Sequence, residues 1–153
     1  MRSRSIALVT TIVAGTIFAA LAQPAPPPKP NKKIEVQLLW GTDAAKSPNK
    51  NHKPVEPDVQ KRLKALPLRW TNYFMVTNVT LSVPRGKSAR APISEKCSIE
   101  VRDLGQHNVE VSYFGKDKKV EKRTQALPRG EMLFYGGPAP GTNAWLVVLK
   151  RLE

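Results

Sequence analysis

The chain has 153 residues, with 25 Lys and Arg against 12 Asp and Glu, 14 Pro and one Cys, a size that suits one domain. One cysteine excludes an internal disulfide scaffold and a cysteine-rich zinc site, and two histidines cannot build a three-histidine metal centre. Apolar residues at 41% exclude a disordered polymer, and the formal net charge of +13 bears on partners and solubility, not on fold.

The sequence opens Met1-Arg2-Ser3-Arg4, continues through an uncharged run from Ile6 to Ala22 and closes on Ala20-Leu21-Ala22. A basic start, an apolar run and small side chains before a cut are the layout of a secretory signal peptide. Residues 1–22 are therefore expected to be removed, leaving no transmembrane segment and a secreted or periplasmic product. Ser3 separates the two arginines and the leader has no cysteine, so neither a twin-arginine signal nor a lipid anchor is indicated. Without Arg2 and Arg4 the chain keeps 23 basic and 12 acidic residues, so the charge excess belongs to the mature protein.

Residues 23–33 follow as a basic, proline-rich spacer. Pro24, Pro26, Pro27, Pro28 and Pro30 fix an extended backbone and withhold amide donors from any sheet. The same spacing would suit a ligand of an aromatic-groove domain, the basis of an adaptor reading. Residues 34–153 are expected to form a single β-rich domain.

In that domain Ile34, Val36, Leu38 and Trp40 alternate with Glu35 and Gln37, the period of a half-buried strand. A loop from Gly41 to Pro57 carries Asp43, His52 and Glu56. The run Pro57 to Leu66 places Val59, Leu63 and Leu66 at helical spacing, with acids at its start and Pro67 as a stop. Trp70 to Val76 is ambiguous between helix and strand. Short strands then follow at Val79–Val83, Ala89–Ser94, Cys97–Val101, Val109–Tyr113 and Val120–Ala126. The turn Asp103 to Asn108 makes the clearest hairpin, and Val83-Pro84-Arg85-Gly86 and Leu127-Pro128-Arg129-Gly130 are two turns of one pattern. Lys116 to Arg123, with five bases around Val120, suits an edge strand. Met132–Tyr135 and Trp145–Leu149 are apolar on both phases, as expected of strands covered on two faces. The fold class is thus all-β, an antiparallel sandwich of immunoglobulin-like type or a small barrel, with about eight strands and one short helix.

Chemical motifs are scarce. Cys97 shares a phase with Ile99 and Val101, so alternation places its sulfur in the core, and a dyad with His107 or His52 has no local motif behind it. Gly86-Lys87-Ser88 lacks the upstream glycine and the following helix of a phosphate-binding loop. Asn78-Val79-Thr80 would be a glycosylation acceptor only in a host that glycosylates such sites, and otherwise reads as the polar face of a strand. No catalytic, cofactor-binding or metal residue is assigned and no cofactor is expected.

The runs Ile34 to Asp43, Leu66 to Phe74 and Trp145 to Lys150 resemble a family of small exported bacterial proteins of unknown function. The resemblance implies the leader and the bacterial envelope, and transfers no residue roles. Together these features indicate a non-catalytic binding or structural protein of the envelope. Its basic surface would contact an anionic envelope polymer or another envelope protein, since export removes the usual nucleic-acid partners. Two alternatives stand beside it: a small hydrolase using Asp43, His52 or Glu56 of the 41–57 loop, and the adaptor recognised through its spacer.

Overall fold

The computed structural model describes residues 30–116 and 118–153; the leader and the spacer up to residue 29 lie outside them. In chain order the elements are β1 (Lys32–Thr42), β2 (Lys53–Pro54), α1 (Pro57–Ala65), β3 (Asn72–Val83), β4 (Ser88–Pro92), β5 (Cys97–Asp103), β6 (Asn108–Gly115), β7 (Lys118–Ala126), β8 (Met132–Pro138) and β9 (Ala144–Arg151). Five strands make one antiparallel sheet in the order β2-β3-β1-β9-β8, and four make a second in the order β4-β5-β6-β7. The architecture is an all-β sandwich, with separate sheets in place of a closed barrel.

Alternation builds the core between the sheets. Ile34 and Val36 of β1, Leu81 and Val83 of β3, and Val147 and Leu149 of β9 face Ile99, Val101, Val109 and Val111 of the smaller sheet, all buried. A second cluster lies on the opposite face of the larger sheet. There Leu39, Ala144, Leu146 and Val148 pack under Val59 and Leu63 of α1, with Trp70, Tyr73, Met75 and Phe134 around them. The helix therefore forms a third layer, and the spacing of Val59 and Leu63 by one turn is what lets a nine-residue helix present a single apolar stripe.

This layering corrects the expectation of a half-buried first strand. β1 is central and covered on both sides, so Glu35 and Gln37 are buried along with the apolar phase. Its start also differs, since Lys32 and Lys33 belong to the strand and not to the spacer. β9 is covered on both faces as expected, whereas β8 is an edge strand. β7 lies at an edge, in keeping with its run of bases. Of the ambiguous stretch, Trp70 lies in the linker after α1 and Asn72 to Val76 form the start of β3. Leu38 pairs with Thr77 and Leu39 with Met75, so Val76 is an extra residue in a β-bulge.

The two Pro-Arg-Gly turns are alike in structure. Lys87 N–H donates to Pro84 O at 3.0 Å and Glu131 N–H to Pro128 O at 3.1 Å, with Gly86 at φ 71° and Gly130 at φ 78°. Each glycine takes a left-handed conformation that a side chain would resist.

Candidate functional site

All three tryptophans of the chain, 105 residues apart at the extremes, gather at one end of the sandwich. Trp40 and Trp145 are direct cross-strand partners on β1 and β9. Trp70, in the linker after α1, donates its indole N–H to Thr142 O at 2.6 Å and so ties that linker to the β8–β9 loop. Trp145 lies over Gly137, its partner on the edge strand β8. A Cβ on Gly137 would fall 2.6 Å from the indole, so this glycine is required by the close approach of the ring.

Two clefts open at this end, with Pro138 and Trp145 lining both. One, about 620 Å³, lies on the helix side between residues 66–70 and the β8–β9 hairpin. The other, about 430 Å³, enters between the two sheets and is lined mainly by apolar groups, among them Leu38, Trp40, Ile93, Phe114, Val120 and Trp145.

Cys97 lies at this mouth and is exposed, which corrects its expected burial. Its phase is that of Ile99 and Val101, but it is the first residue of β5, where the opposite layer is the cleft and not packed side chains. His107 sits in the turn at the other end of β5, so the length of the strand separates the two and no cysteine dyad forms.

The lining also contains Tyr113. Its ring packs against Tyr135 with centroids 5.2 Å apart, and its hydroxyl is buried without a hydrogen-bond partner among the described residues. Burial pushes the Tyr113 hydroxyl far above the ordinary tyrosine range. Tyr135, by contrast, donates to Gln125 at 2.9 Å. Removing an unpaired buried hydroxyl relieves a desolvation cost, so Tyr113→Phe is expected to raise stability by about 1 kcal/mol, read as a higher thermal midpoint. An unchanged or lower midpoint would show that the hydroxyl has a partner.

Cations rim the same mouth. Lys96 lines the inter-sheet cleft and its carbonyl accepts the backbone N–H of Lys116 at 3.0 Å, which brings the β4–β5 loop against the β6–β7 hairpin. Lys116, Lys118 and Lys119 flank the lining residues Gly115 and Val120 and are exposed. Phe114 carries the Arg90 guanidinium over its ring at 3.9 Å and the Lys119 ammonium at 5.8 Å.

The residues of the 41–57 loop are held apart from one another. Asp43 accepts from the Thr71 backbone N–H at 3.1 Å, and Glu56 lies 3.6 Å from Lys150. His52 Nδ1 is 2.6 Å from the Ser47 hydroxyl, which also accepts the Asn49 N–H. Burial holds the His52 pKa below its ordinary value. Among the described residues no group of three or more His, Cys, Asp and Glu is placed to hold a metal ion, and no helix is long and apolar enough to cross a membrane.

The clustering of the tryptophans and lysines had only a weak signal in sequence. Lys116 to Lys119 read as an edge, but the pairing of Trp40 with Trp145 depends on β1 and β9 being neighbours, which no local pattern gives. Comparison with protein-family models, with curated proteins and with solved structures finds no match. The functional reading therefore rests on the chemistry of the mouth.

Proposed function

We propose that this chain is a non-catalytic binding protein exported to the bacterial envelope, where the basic end of its sandwich contacts an anionic partner. The observation that supports this is the gathering of Lys96, Lys116, Lys118 and Lys119 at one open end, so that part of the net charge is focused in place of being spread evenly. Focused charge of one sign raises the local concentration of an oppositely charged partner and gives a salt-dependent affinity.

The test is elution from immobilised dextran sulfate in a salt gradient. A Lys96→Glu, Lys118→Glu, Lys119→Glu variant is expected to elute at clearly lower salt than a variant with three reversals on the α1 side, Lys61→Glu, Arg62→Glu and Lys64→Glu. The two carry the same net charge, so equal elution would mean that only total charge matters and would remove the basic end as the contact surface.

The hydrolase alternative draws on the Ser47–His52 contact. Asp43 and Glu56, the carboxylates of the same loop, are engaged with Thr71 and Lys150 and do not orient the imidazole. A hydroxyl and a base without an orienting group, in a bond that also closes its own loop, is better explained as a structural lock. The adaptor alternative concerns a spacer that falls mostly outside the described residues.

A further inference from the structure

We propose that the cleft between the two sheets binds the hydrocarbon chain of a fatty carboxylate, with the carboxylate held by the lysines at its mouth. This rests on the reading of the basic end as an anion-binding surface and adds the apolar half of the ligand to it.

The chemistry of the lining selects the chain. Leu38, Trp40, Ile93, Phe114 and Trp145 present hydrocarbon and ring faces, so a sugar or nucleotide placed among them would leave hydroxyls and amides without partners. A methylene chain has nothing to satisfy and gains from leaving water. The volume, about 430 Å³, falls in the range of small-ligand sites, and the opening at the end of the sandwich lets a headgroup stay in water while the chain enters. Val120 stands at the rim 73% exposed, an apolar side chain with no cover.

Charge complementarity selects the head. Lys96 is itself a lining residue, and Lys116, Lys118 and Lys119 come from the hairpin that forms one lip. In the sequence of these two segments, four lysines stand against Glu95 and Asp117. An anion at the mouth would therefore meet an excess of ammonium groups, whereas a cationic head would be repelled.

The two ends of the described chain lie away from the mouth. Leu152 N–H donates to Lys33 O at 2.9 Å, so the start of β1 and the last residues lie together at the end of the sandwich away from the mouth. Lys32 is eight extended residues from Trp40, roughly 26 Å along the strand.

The test uses the full chain with octanoate and dodecanoate, both below micelle-forming concentrations, and with decanol as an uncharged probe. Binding is read by tryptophan fluorescence, and independently by the rate at which an aromatic disulfide reagent modifies Cys97, the chain's single thiol, at the cleft rim. Each buried methylene multiplies affinity by up to about fourfold. Dodecanoate is thus expected to bind at least tenfold more tightly than octanoate and to slow the modification of Cys97. Reversal of Lys96, Lys118 and Lys119 to Glu should weaken dodecanoate about tenfold and leave decanol unchanged. Cys97→Phe, which fills the mouth from an exposed position, should lose dodecanoate while retaining its dextran sulfate elution.

Equal affinity for the two carboxylates, or an unslowed thiol, overturns the cleft assignment even where the lysines still bind dextran sulfate. A chain-length dependence that the charge reversals do not alter overturns the placement of the carboxylate. In that case the anionic reading of the basic end falls only if the dextran sulfate comparison also fails.

Discussion

Replacing Lys32 with Met is expected to destabilise the protein by about 3–5 kcal/mol, measured by denaturant unfolding at neutral pH. Lys32 and Asp103 are 8% and 3% exposed, and the ammonium donates to the carboxylate at 2.5 Å. The pair joins the first strand of the larger sheet to the end of β5 in the smaller one. Both ions lose most of their hydration on folding, and their mutual attraction offsets that loss only while both are present. Met keeps the length of the side chain but leaves a carboxylate buried with the Gly105 N–H as its remaining hydrogen-bond donor, at 2.8 Å. The double variant Lys32→Met, Asp103→Asn removes the orphan charge and keeps the turn contact, so it should recover most of the loss. If the single and double variants are equally unstable, the cost lies in packing and not in charge.

The same pair sets an acid limb. Burial pushes the Asp103 carboxyl up, but the hydrogen bond from Lys32, the Gly105 N–H and the charges of Lys32 and Arg85 outweigh it and hold its pKa below 3.8. A carboxyl with a lower pKa in the folded state contributes stability that is present above 3.8 and lost as the pH falls through the folded value. In the Lys32→Met variant burial remains while the hydrogen bond and charge of Lys32 are gone, so the carboxyl pKa rises relative to the parent. The deficit of the variant should accordingly be largest at neutral pH and shrink below about pH 4.

Lys32 also illustrates what a sequence withholds. It sits after a run of prolines, where a lysine reads as a solvated spacer residue, and its partner is 71 positions away. Strand alternation was legible wherever one face meets the core: Ile99 and Val101 against Val109 and Val111 specify the β5–β6 hairpin, and the structure pairs those strands across the Asp103–Asn108 turn. The alternation fails at Val76 because the bulge shifts the phase, so that Tyr73 and Met75 join the cluster beneath the helix while Val79 and Leu81 face the other sheet. It misplaces Cys97 for a different reason. Period-two spacing gives the side of a sheet but not whether another layer extends far enough to cover that position. The candidate site was correspondingly the least legible part. Its tryptophans come from β1, the linker after α1 and β9, and only the tertiary arrangement of those segments brings the indoles and the Lys96 to Lys119 cations to one end.

Leu63→Ala is expected to cost about 2–4 kcal/mol and to expose residues 55–70 to limited proteolysis under conditions where the sandwich stays folded. α1 has nine residues, too short to hold its own conformation in water, so its docking on the larger sheet decides whether it forms. Two side chains, Val59 and Leu63, are its fully buried anchors. Ion pairs also join it to the sheet: Asp58 with Lys150, and Arg62 with Glu131 at 3.1 Å. Asp58, Arg62 and Glu131 are about half exposed and Lys150 about one-fifth, and each pair contributes on the order of 1 kcal/mol or less. They cannot replace the packing lost when Leu63 is truncated, and the cavity left against Leu39 and Val148 adds to the transfer term. Leu63→Met, which keeps the volume, should cost under about 1.5 kcal/mol and leave the proteolytic pattern unchanged. The comparison bears on the mouth as well. Leu66 to Trp70, which follow α1 directly, form one wall of the helix-side cleft, and Trp70 reaches Thr142 from that segment. If undocking α1 releases this wall, Leu63→Ala should alter the fluorescence of Trp70 while the inter-sheet cleft, lined by residues of β1, β5, β6 and β9, keeps the dodecanoate affinity proposed for it. Loss of that affinity in parallel with the proteolysis would show that the two sides of Trp145 are one cooperative unit.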